Sequence, residues 1–268
     1  MDTENIKALA GVVKGPTILN LGPENQAVVI PEGWSVQNIS EMLPAPERIK
    51  QRVELLTLDS LVAYVTGFKT HTTAIFANET DATYDVSLDY HGPVKSAPGR
   101  GHCNHTARYA CPKSEQWATW NALDGKPKTQ LDFARFIEAN LIDVVKPVSA
   151  EMLQIVLNLQ VHKTAEFEGD MRLDNGQAKL SYKETVRGST KIGDLTIPDV
   201  FQLSLPVFVD GKRYPVDARL RYRLDEGKLN LWYELVRPMD VYRAAVKEVS
   251  DSLRKQLEGV PFWIGKRQ

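Results

Sequence analysis

The sequence predicts an α+β fold in which antiparallel sheets, built from hairpins and meanders, accompany a helical middle segment and a C-terminal helix. Three observations predict it. Two runs with strand alternation flank a Gly/Pro-rich stretch at 92–101, helix caps and helical spacing dominate 112–165, and Asn-Gly and Asp-Gly turns join alternating runs in the C-terminal part. We expect an extended N-terminal arm over residues 1–35 and a single α+β domain over 36–268, with the helical segment at 112–165 as a candidate subdivision.

Residues 1–35 lack the pattern of a core segment, because glycines and prolines divide them into short pieces. Two apolar tetrads, Ile18-Leu19-Asn20-Leu21 and Ala27-Val28-Val29-Ile30, are separated by Gly22-Pro23. We expect that they do not join into one buried element of their own but add as strands to a core or a sheet edge. An edge on a second copy of the chain would serve this purpose as well as an edge on its own subunit, onto which the arm would fold back. The candidate oligomer contacts are therefore Ile18, Leu19, Leu21, Val28, Val29 and Ile30.

The next segment predicts one helix and a three-stranded meander. Residues 48–57 alternate like a strand, and Asp59 is placed to cap a helix with inward positions Leu61, Val62, Val65 and Phe68. Residues 72–77 form the next strand, which leads into a hairpin. Its register sets Tyr90 opposite Cys103, Val86 opposite Ala107, Tyr84 opposite Tyr109, and Asp85 opposite Arg108.

The middle segment is predicted to be helical. Ser114 caps a short helix that carries Trp117 and Trp120, and Thr129 caps the next one. Residues 150–161 are ambiguous, because the helix cap at Ser149 is followed by leucines and isoleucine that also alternate like a strand. The cap favours a helix there.

The C-terminal part predicts hairpins and a closing helix. Asp174-Asn175-Gly176 is a strong hairpin signal, and a second hairpin register pairs Tyr222 with Leu231. That register sets Arg219 opposite Glu234 as an ion pair and Arg221 opposite Trp232 as a cation–π stack. Asp240 is predicted to cap the closing helix, and Gly259 to end it.

Charge and composition favour a soluble intracellular protein. The chain has 33 basic and 34 acidic residues, so no global field attracts it to nucleic acid or to an anionic membrane. The N-terminal residues have neither the basic start nor the apolar run of a secretion signal, and no segment is long enough to cross a bilayer. Two cysteines fit a reducing compartment.

A histidine and cysteine cluster is the obvious candidate metal site; its members are His91, His102, Cys103, His105 and Cys111. On a continuous strand, however, Cys103 and Cys111 would be ~26 Å apart at ~3.3 Å per residue. That distance excludes a shared zinc ion and a disulfide. We therefore favour two reduced structural cysteines with a core histidine, and we expect no metal and no cofactor.

Two basic features are candidate nucleic-acid contacts. A row of arginines occupies one face of the strand that ends near residue 224, namely Arg213, Arg219, Arg221 and Arg223. The 92–101 loop contributes Lys95 and Arg100, but it lacks the spacing of a phosphate-binding loop. The sequence contains no His-Glu-x-x-His, Gly-x-Ser-x-Gly or dinucleotide fingerprint, so we name no catalytic residue and predict that the protein is not an enzyme.

Short pieces distributed over nearly the whole chain carry a family resemblance: Pro31-Glu32-Gly33-Trp34, Leu88-Asp89-Tyr90-His91, Cys111-Pro112, Glu115-Gln116-Trp117-Ala118-Thr119-Trp120, Phe136-Ile137-Glu138, Ala218-Arg219-Leu220-Arg221-Tyr222-Arg223 and Leu231-Trp232-Tyr233-Glu234-Leu235-Val236-Arg237-Pro238. In this order they resemble the YfdQ-like family of phage and prophage proteins. The resemblance implies synthesis in the cytoplasm of a bacterial host from a phage or prophage gene of the early, DNA-metabolism or host-takeover class. It implies no catalytic residues.

Three functional hypotheses follow. The first is a non-enzymatic protein that assembles with itself, as a homo-oligomer, or binds a bacterial host protein. The alternative is a nucleic-acid-binding accessory of phage DNA metabolism or recombination. A more distant alternative is a metal-dependent enzyme that uses the His/Cys cluster. No membrane partner is expected.

Overall fold

A computed structural model of the chain describes residues 17–22, 25–31, 33–35, 48–91, 101–172, 178–190, 198–225 and 228–267. The chain forms two compact units, Met1–Lys50 and Gln51–Gln268. The boundary that the sequence places after residue 35 stays a prediction, because 36–47 lie outside the described residues. The subdivision near 112–165 likewise stays a prediction.

In the first unit, the two apolar tetrads form a hairpin. Strand β1 is Thr17–Gly22 and β2 is Asn25–Val29; they pair antiparallel, with Ile18 opposite Val28. The expectation that the tetrads do not join into one element is therefore wrong as regards their pairing. Only two residues separate the paired Gly22 and Asn25, which is the connection length that a tight hairpin uses.

The second unit contains, in the described residues, five α-helices: α1 Leu58–Phe68, α2 Glu115–Ala122, α3 Gln130–Ala139, α4 Ser149–Asn158 and α5 Pro238–Gln256. Its strands are β3 Gln51–Leu55, β4 Ala74–Asn78, β5 Thr83–Ser87, β6 His105–Ala110, β7 Lys128–Thr129, β8 Val144–Lys146, β9 Leu159–Arg172, β10 Ala178–Thr190, β11 Val200–Pro206, β12 Arg213–Asp225, β13 Lys228–Leu235 and β14 Phe262–Ile264. The α+β class predicted from the sequence is confirmed. None of the described helices is long and apolar enough to cross a membrane.

One sheet is mixed, with strand order β14-β4-β5-β6-β3. The predicted meander β4-β5-β6 is confirmed, including Tyr84 opposite Tyr109, Val86 opposite Ala107 and Asp85 opposite Arg108. The outer strands are parallel to their neighbours, whereas the sequence predicted antiparallel sheets throughout. For β3, the reason is the connection through α1, which returns the chain to the sheet at β4 in the same direction. Strand β14 follows α5, which connects it to β13, a strand outside this sheet.

The strand predicted over 102–111 begins only at His105. Cys103 has a φ of 55°, outside the strand region, and its backbone N–H donates to the carbonyl oxygen of Asp89 at 3.1 Å. Tyr90 therefore does not pair with Cys103, and that part of the predicted register is wrong.

The second sheet is antiparallel, with strand order β7-β13-β12-β11-β8. Tyr222 lies opposite Leu231 and Arg219 opposite Glu234, as predicted. The long strands β9 and β10 form a separate two-stranded ribbon, and the Asp174-Asn175-Gly176 turn between them lies outside the described residues. Of the ambiguous residues 150–161, those up to Asn158 are helical and belong to α4, and those from Leu159 onward belong to β9.

Side chains cap three of the five described helices, whereas α4 begins after Val148 without a side-chain cap, so the predicted cap at Ser149 is wrong. The Ser114 and Thr129 caps are confirmed, because each hydroxyl accepts the backbone N–H three residues later. For α1, the cap is Thr57 rather than Asp59; its hydroxyl accepts from the Ser60 backbone N–H at 3.1 Å. Helix α5 begins with Pro238 after Arg237 at a φ of 50°, so Asp240 lies in the first turn and is not the cap.

One hydrophobic core is shared by both sheets. Helix α5 connects them: the Tyr84 hydroxyl lies 3.0 Å from the Ser250 hydroxyl, and the rings of Tyr242 and Phe208 pack at 5.8 Å. On the other side, the Tyr233 hydroxyl donates to the Trp120 carbonyl oxygen at 2.5 Å, which fixes α2 on the antiparallel sheet. The charged residues that are candidates for functional contacts lie on the outward faces of both sheets.

Candidate functional site

The His/Cys cluster is divided by the fold. Cys103 Sγ lies 3.5 Å from His91 Nε2, whereas His105 faces α1, where its Nε2 lies 2.8 Å from the Tyr64 hydroxyl. Burial lowers the pKa of His105, which Asp89 partly offsets. His102 is exposed. Among the described residues, no three His, Cys, Asp or Glu side chains come together as a metal site.

Both cysteines are free thiols in different environments. Cys111 is buried at the far end of β6, where burial raises the pKa of its thiol to about 11. Cys103 is half-buried beside the exposed His91. The cysteines therefore have opposite accessibility and do not form one reactive pair.

The arginine row is broken up by carboxylates. The Arg213 guanidinium binds the buried Asp143 carboxylate, with Nη2 and Oδ1 2.5 Å apart, and donates to the Ser204 carbonyl oxygen. Arg221 Nε donates to the Glu234 carboxylate at 3.1 Å. Arg223 also has a partner. The row therefore presents less free positive charge than its sequence indicates.

Glu234 explains why the predicted stack of Arg221 on Trp232 is absent from the described contacts. Hydrogen bonds from Arg221 and, to a smaller extent, from Trp232 hold the pKa of this carboxyl below its ordinary value. Both side chains therefore turn to the carboxylate. The predicted pair Arg219–Glu234 is in register, but the hydrogen-bonded ion pair is the diagonal one. Lys95 and Arg100 lie outside the described residues.

A cleft of about 450 Å³ lies between the N-terminal end of α1, the turn after β11 and helix α5. On one wall, Lys212 Nζ pairs with the Glu248 carboxylate, which also accepts from the Tyr214 hydroxyl at 2.6 Å. These two hydrogen bonds, with Lys212 the larger cause, lower the pKa of Glu248. The lysine also lies 5.0 Å above the Tyr214 ring. Because this charge is internally matched, the wall is polar without a net field.

The lining of this cleft also contains Tyr109, Asp59 and Asp210. Burial raises the pKa of Tyr109, and the neighbouring Cys111 and the two aspartates act in the same direction. Asp210 has a φ of 57°, a conformation that aspartate tolerates in turns. The sequence did not indicate this cleft, because its lining comes from four distant segments; the Asp210-Gly211 turn was its single local signal.

Two ribbons leave their edges unpaired in the described structure. The hairpin β1–β2 and the ribbon β9–β10 each pair with no third strand among the described residues. Of the candidate oligomer contacts, Val28 is exposed and Ile30 half-buried.

Comparisons with known proteins give one match. A family model described as "Uncharacterized conserved protein (DUF2303)" matches residues 1–267. A search of curated proteins and a search of solved structures found no match.

Proposed function

Given that the chain belongs to the DUF2303 family of uncharacterized conserved proteins, whose model covers residues 1–267, we propose that it is a non-enzymatic protein that assembles with further copies of itself. The observation that carries the proposal is the β9–β10 ribbon. It has strands of 14 and 13 residues, and neither of them pairs with a third strand in the described part of the chain.

A ribbon of this length is an effective pairing surface. At ~3.3 Å per residue its strands reach ~45 Å, and each edge carries a row of unpaired N–H and C=O groups. An isolated two-stranded ribbon is marginally stable in water, so a third strand from a partner would stabilise it. Natural monomers usually shorten or cover such edges.

A second copy is the partner that fits these edges without further assumptions. Two identical edges related by a two-fold axis can pair antiparallel, so that residue i of one copy contacts residue j of the other and residue j contacts residue i. The β1–β2 hairpin offers a second pair of edges, with Ile18, Leu19, Leu21, Val28, Val29 and Ile30 as candidate contacts. One ribbon would form a dimer, and two ribbons would permit a larger closed assembly.

The direct test removes the β9–β10 ribbon. The register pairs Leu159 with Thr190, so the ribbon begins and ends at adjacent positions and a short Gly-Ser loop can replace residues 161–188. Light scattering should give a multiple of the 30.1 kDa chain mass for the full-length protein and a smaller multiple for the ribbonless variant. A monomeric full-length protein would contradict the proposal.

The matched control carries the same Gly-Ser insert between Asp225 and Lys228, in the β12–β13 connection. It lengthens a hairpin of the core sheet and leaves the ribbon unchanged, so its mass in solution should equal that of the full-length protein. If this control also dissociates, the loss of assembly reports a disturbed core and not a lost interface.

Phage or prophage origin, synthesis in the bacterial cytoplasm and a host-takeover role belong to the same proposal, supported by the YfdQ-like resemblance. A bacterial host protein could use the same edges. The nucleic-acid alternative has weaker support, because Asp143 and Glu234 engage two of the four arginines. Salt-dependent DNA binding that Arg219→Ala abolishes would favour it.

A further inference from the structure

The C-terminal end of the described chain crosses the outer face of the mixed sheet. After β14, the backbone N–H of Gly265 donates to the Ala77 carbonyl oxygen at 2.8 Å, and Arg267 Nη2 donates to the Cys103 carbonyl oxygen at 3.4 Å. Ala77 belongs to β4 and Cys103 precedes β6, so this segment passes over β5 between them. A cleft of about 290 Å³, here called the tail cleft, lies between the segment and the sheet.

The tail cleft is rich in cationic side chains. Arg52 comes from β3, Arg108 from β6, and Lys266 and Arg267 from the crossing segment. In the parallel register of β3 and β6, Arg52 lies opposite Thr106, so these strands present their basic side chains on one face. The cations come from three separate parts of the sequence, and only the fold brings them together.

Carboxylates neutralise these cations only in part. Asp81 and Asp85 line the cleft, which leaves four cations against two carboxylates. Asp81 accepts a hydrogen bond from the Asn78 amide at 2.8 Å. Asp85 Oδ1 is 3.9 Å from Arg108 Nε, which is too long for a hydrogen bond. Glu54 lies opposite Arg108 in the strand register, yet no ion pair joins them in the described structure.

The Arg108 guanidinium has an unsatisfied donor. Its Nε–H is shielded from solvent and has no hydrogen-bond acceptor among the described residues. Shielded donors without an acceptor are rare, because leaving one unpaired is energetically unfavourable. Within the same part of the chain, Arg52 and Lys266 have no carboxylate partner. A bound oxyanion would match the excess charge of the cleft.

We infer that the tail cleft binds a phosphate group. The formal excess of two positive charges matches a phosphate monoester, which carries about −1.5 to −2 charges at neutral pH. Arginine guanidinium groups recognise phosphate oxygens through paired N–H donors. The volume is at the lower limit of small-molecule pockets, so it suits one or two phosphate groups. This site is independent of the ribbon edges and of self-assembly.

The test is a calorimetric titration of the full-length protein with inorganic phosphate and with pyrophosphate at constant ionic strength. Saturable binding is expected. Arg108→Gln and Arg52→Gln should each lower the affinity about tenfold or more, the effect of removing a charge-assisted hydrogen bond. Among the described residues, the Arg52 side chain makes no hydrogen bond or ion pair, so Arg52→Gln tests the site even if Arg108→Gln is unstable.

The matched control is Arg135→Gln, which removes the same charge from an exposed position on α3 that pairs only loosely with Asp132. Its affinity for pyrophosphate should equal that of the unaltered protein. The inference is overturned if neither ion binds saturably, or if Arg52→Gln and Arg108→Gln bind as tightly as this control.

A competition experiment distinguishes the two sources of the phosphate group. If a short single-stranded oligonucleotide displaces pyrophosphate, and Arg52→Gln weakens both, the natural source is a nucleic-acid backbone. If only the free ions bind, the source is a small phosphorylated ligand. Either result supports the phosphate site.

Discussion

At the residue scale, Asp143 has the most unusual environment among the described carboxylates. It is 1% exposed, and its oxygens accept from Trp120 Nε1 at 2.9 Å and from Arg213 Nη2 at 2.5 Å. A buried carboxylate is tolerated only when it is paired and hydrogen-bonded. Asp143 therefore gives Arg213 a structural role, where the sequence placed that arginine among candidate nucleic-acid contacts.

We predict that Asp143→Ala lowers the free energy of unfolding by about 1–3 kcal/mol, because the buried Trp120 N–H loses its acceptor. Urea unfolding followed by tryptophan fluorescence measures this loss. Asp217→Ala is the control: Asp217 is an exposed aspartate of β12, and its removal should change the free energy by about 0.5 kcal/mol or less. Equal losses for the two variants would show that Asp143 is not a structural centre.

The two cysteines should differ in reactivity, because the thiolate is the reactive form and burial keeps Cys111 protonated. In the native protein at pH 8, an alkylating reagent should label Cys103 first and Cys111 only slowly. In denaturant without a reductant, both should react, since both are free thiols. Mass spectrometry measures the labels; faster labelling of Cys111 in the native protein would contradict its burial.

At the element scale, the β12–β13 hairpin separates what strand pairing determines from what side-chain rotamers determine. Backbone register sets Arg219 opposite Glu234, yet Arg221 makes the hydrogen bond. Diagonal neighbours on a sheet face are within reach of long side chains, and an arginine can choose between several carboxylate positions. Hydrophobic alternation predicts the register of the strands. Competition between neighbouring arginines then decides which of them binds Glu234.

A double-mutant cycle tests this assignment. We predict measurable coupling between Arg221 and Glu234, and weaker coupling between Arg219 and Glu234, because only the first pair is hydrogen-bonded. The coupling should fall when the pH is lowered through the depressed pKa of Glu234, since the protonated carboxyl no longer attracts the guanidinium. If Arg219 couples to Glu234 more strongly than Arg221 does, the directly opposite residues form the interacting pair.

At the scale of the whole molecule, the described core lies within the second unit. The shared hydrophobic cluster begins at Leu55 and extends to Phe262, and it includes residues of both sheets and all five described helices of that unit. Domains that contain their own core can fold independently.

We therefore predict that a chain beginning at Gln51 folds without the first unit. It should unfold in one cooperative urea transition, with a free energy of unfolding close to that of the full-length protein. Circular dichroism at a concentration that keeps both proteins in the same oligomeric state measures this transition. A broad transition, or loss of near-ultraviolet signal, would show that the first unit completes the core.

By itself, the sequence determined the α+β class, the Ser114 and Thr129 caps, the meander β4-β5-β6 and the register of β12 with β13. These features depend on side-chain period and cap chemistry within a few residues of each other, which a single sequence displays directly. The alternation pattern predicted too long a strand at 102–111, because Cys103 has a positive φ that is incompatible with a strand.

Only the tertiary structure decided the parallel outer strands, the partners of Asp143, the separation of the His/Cys cluster and the tail cleft. Each depends on segments far apart in the chain. Arg213 donates to the Asp143 carboxylate, 70 residues away, and Lys266 and Arg267 line the same cleft as Arg52. Such contacts depend on how helices return the chain to the sheets, and many alternative returns satisfy the same local pattern. The packing of one shared core selects among them.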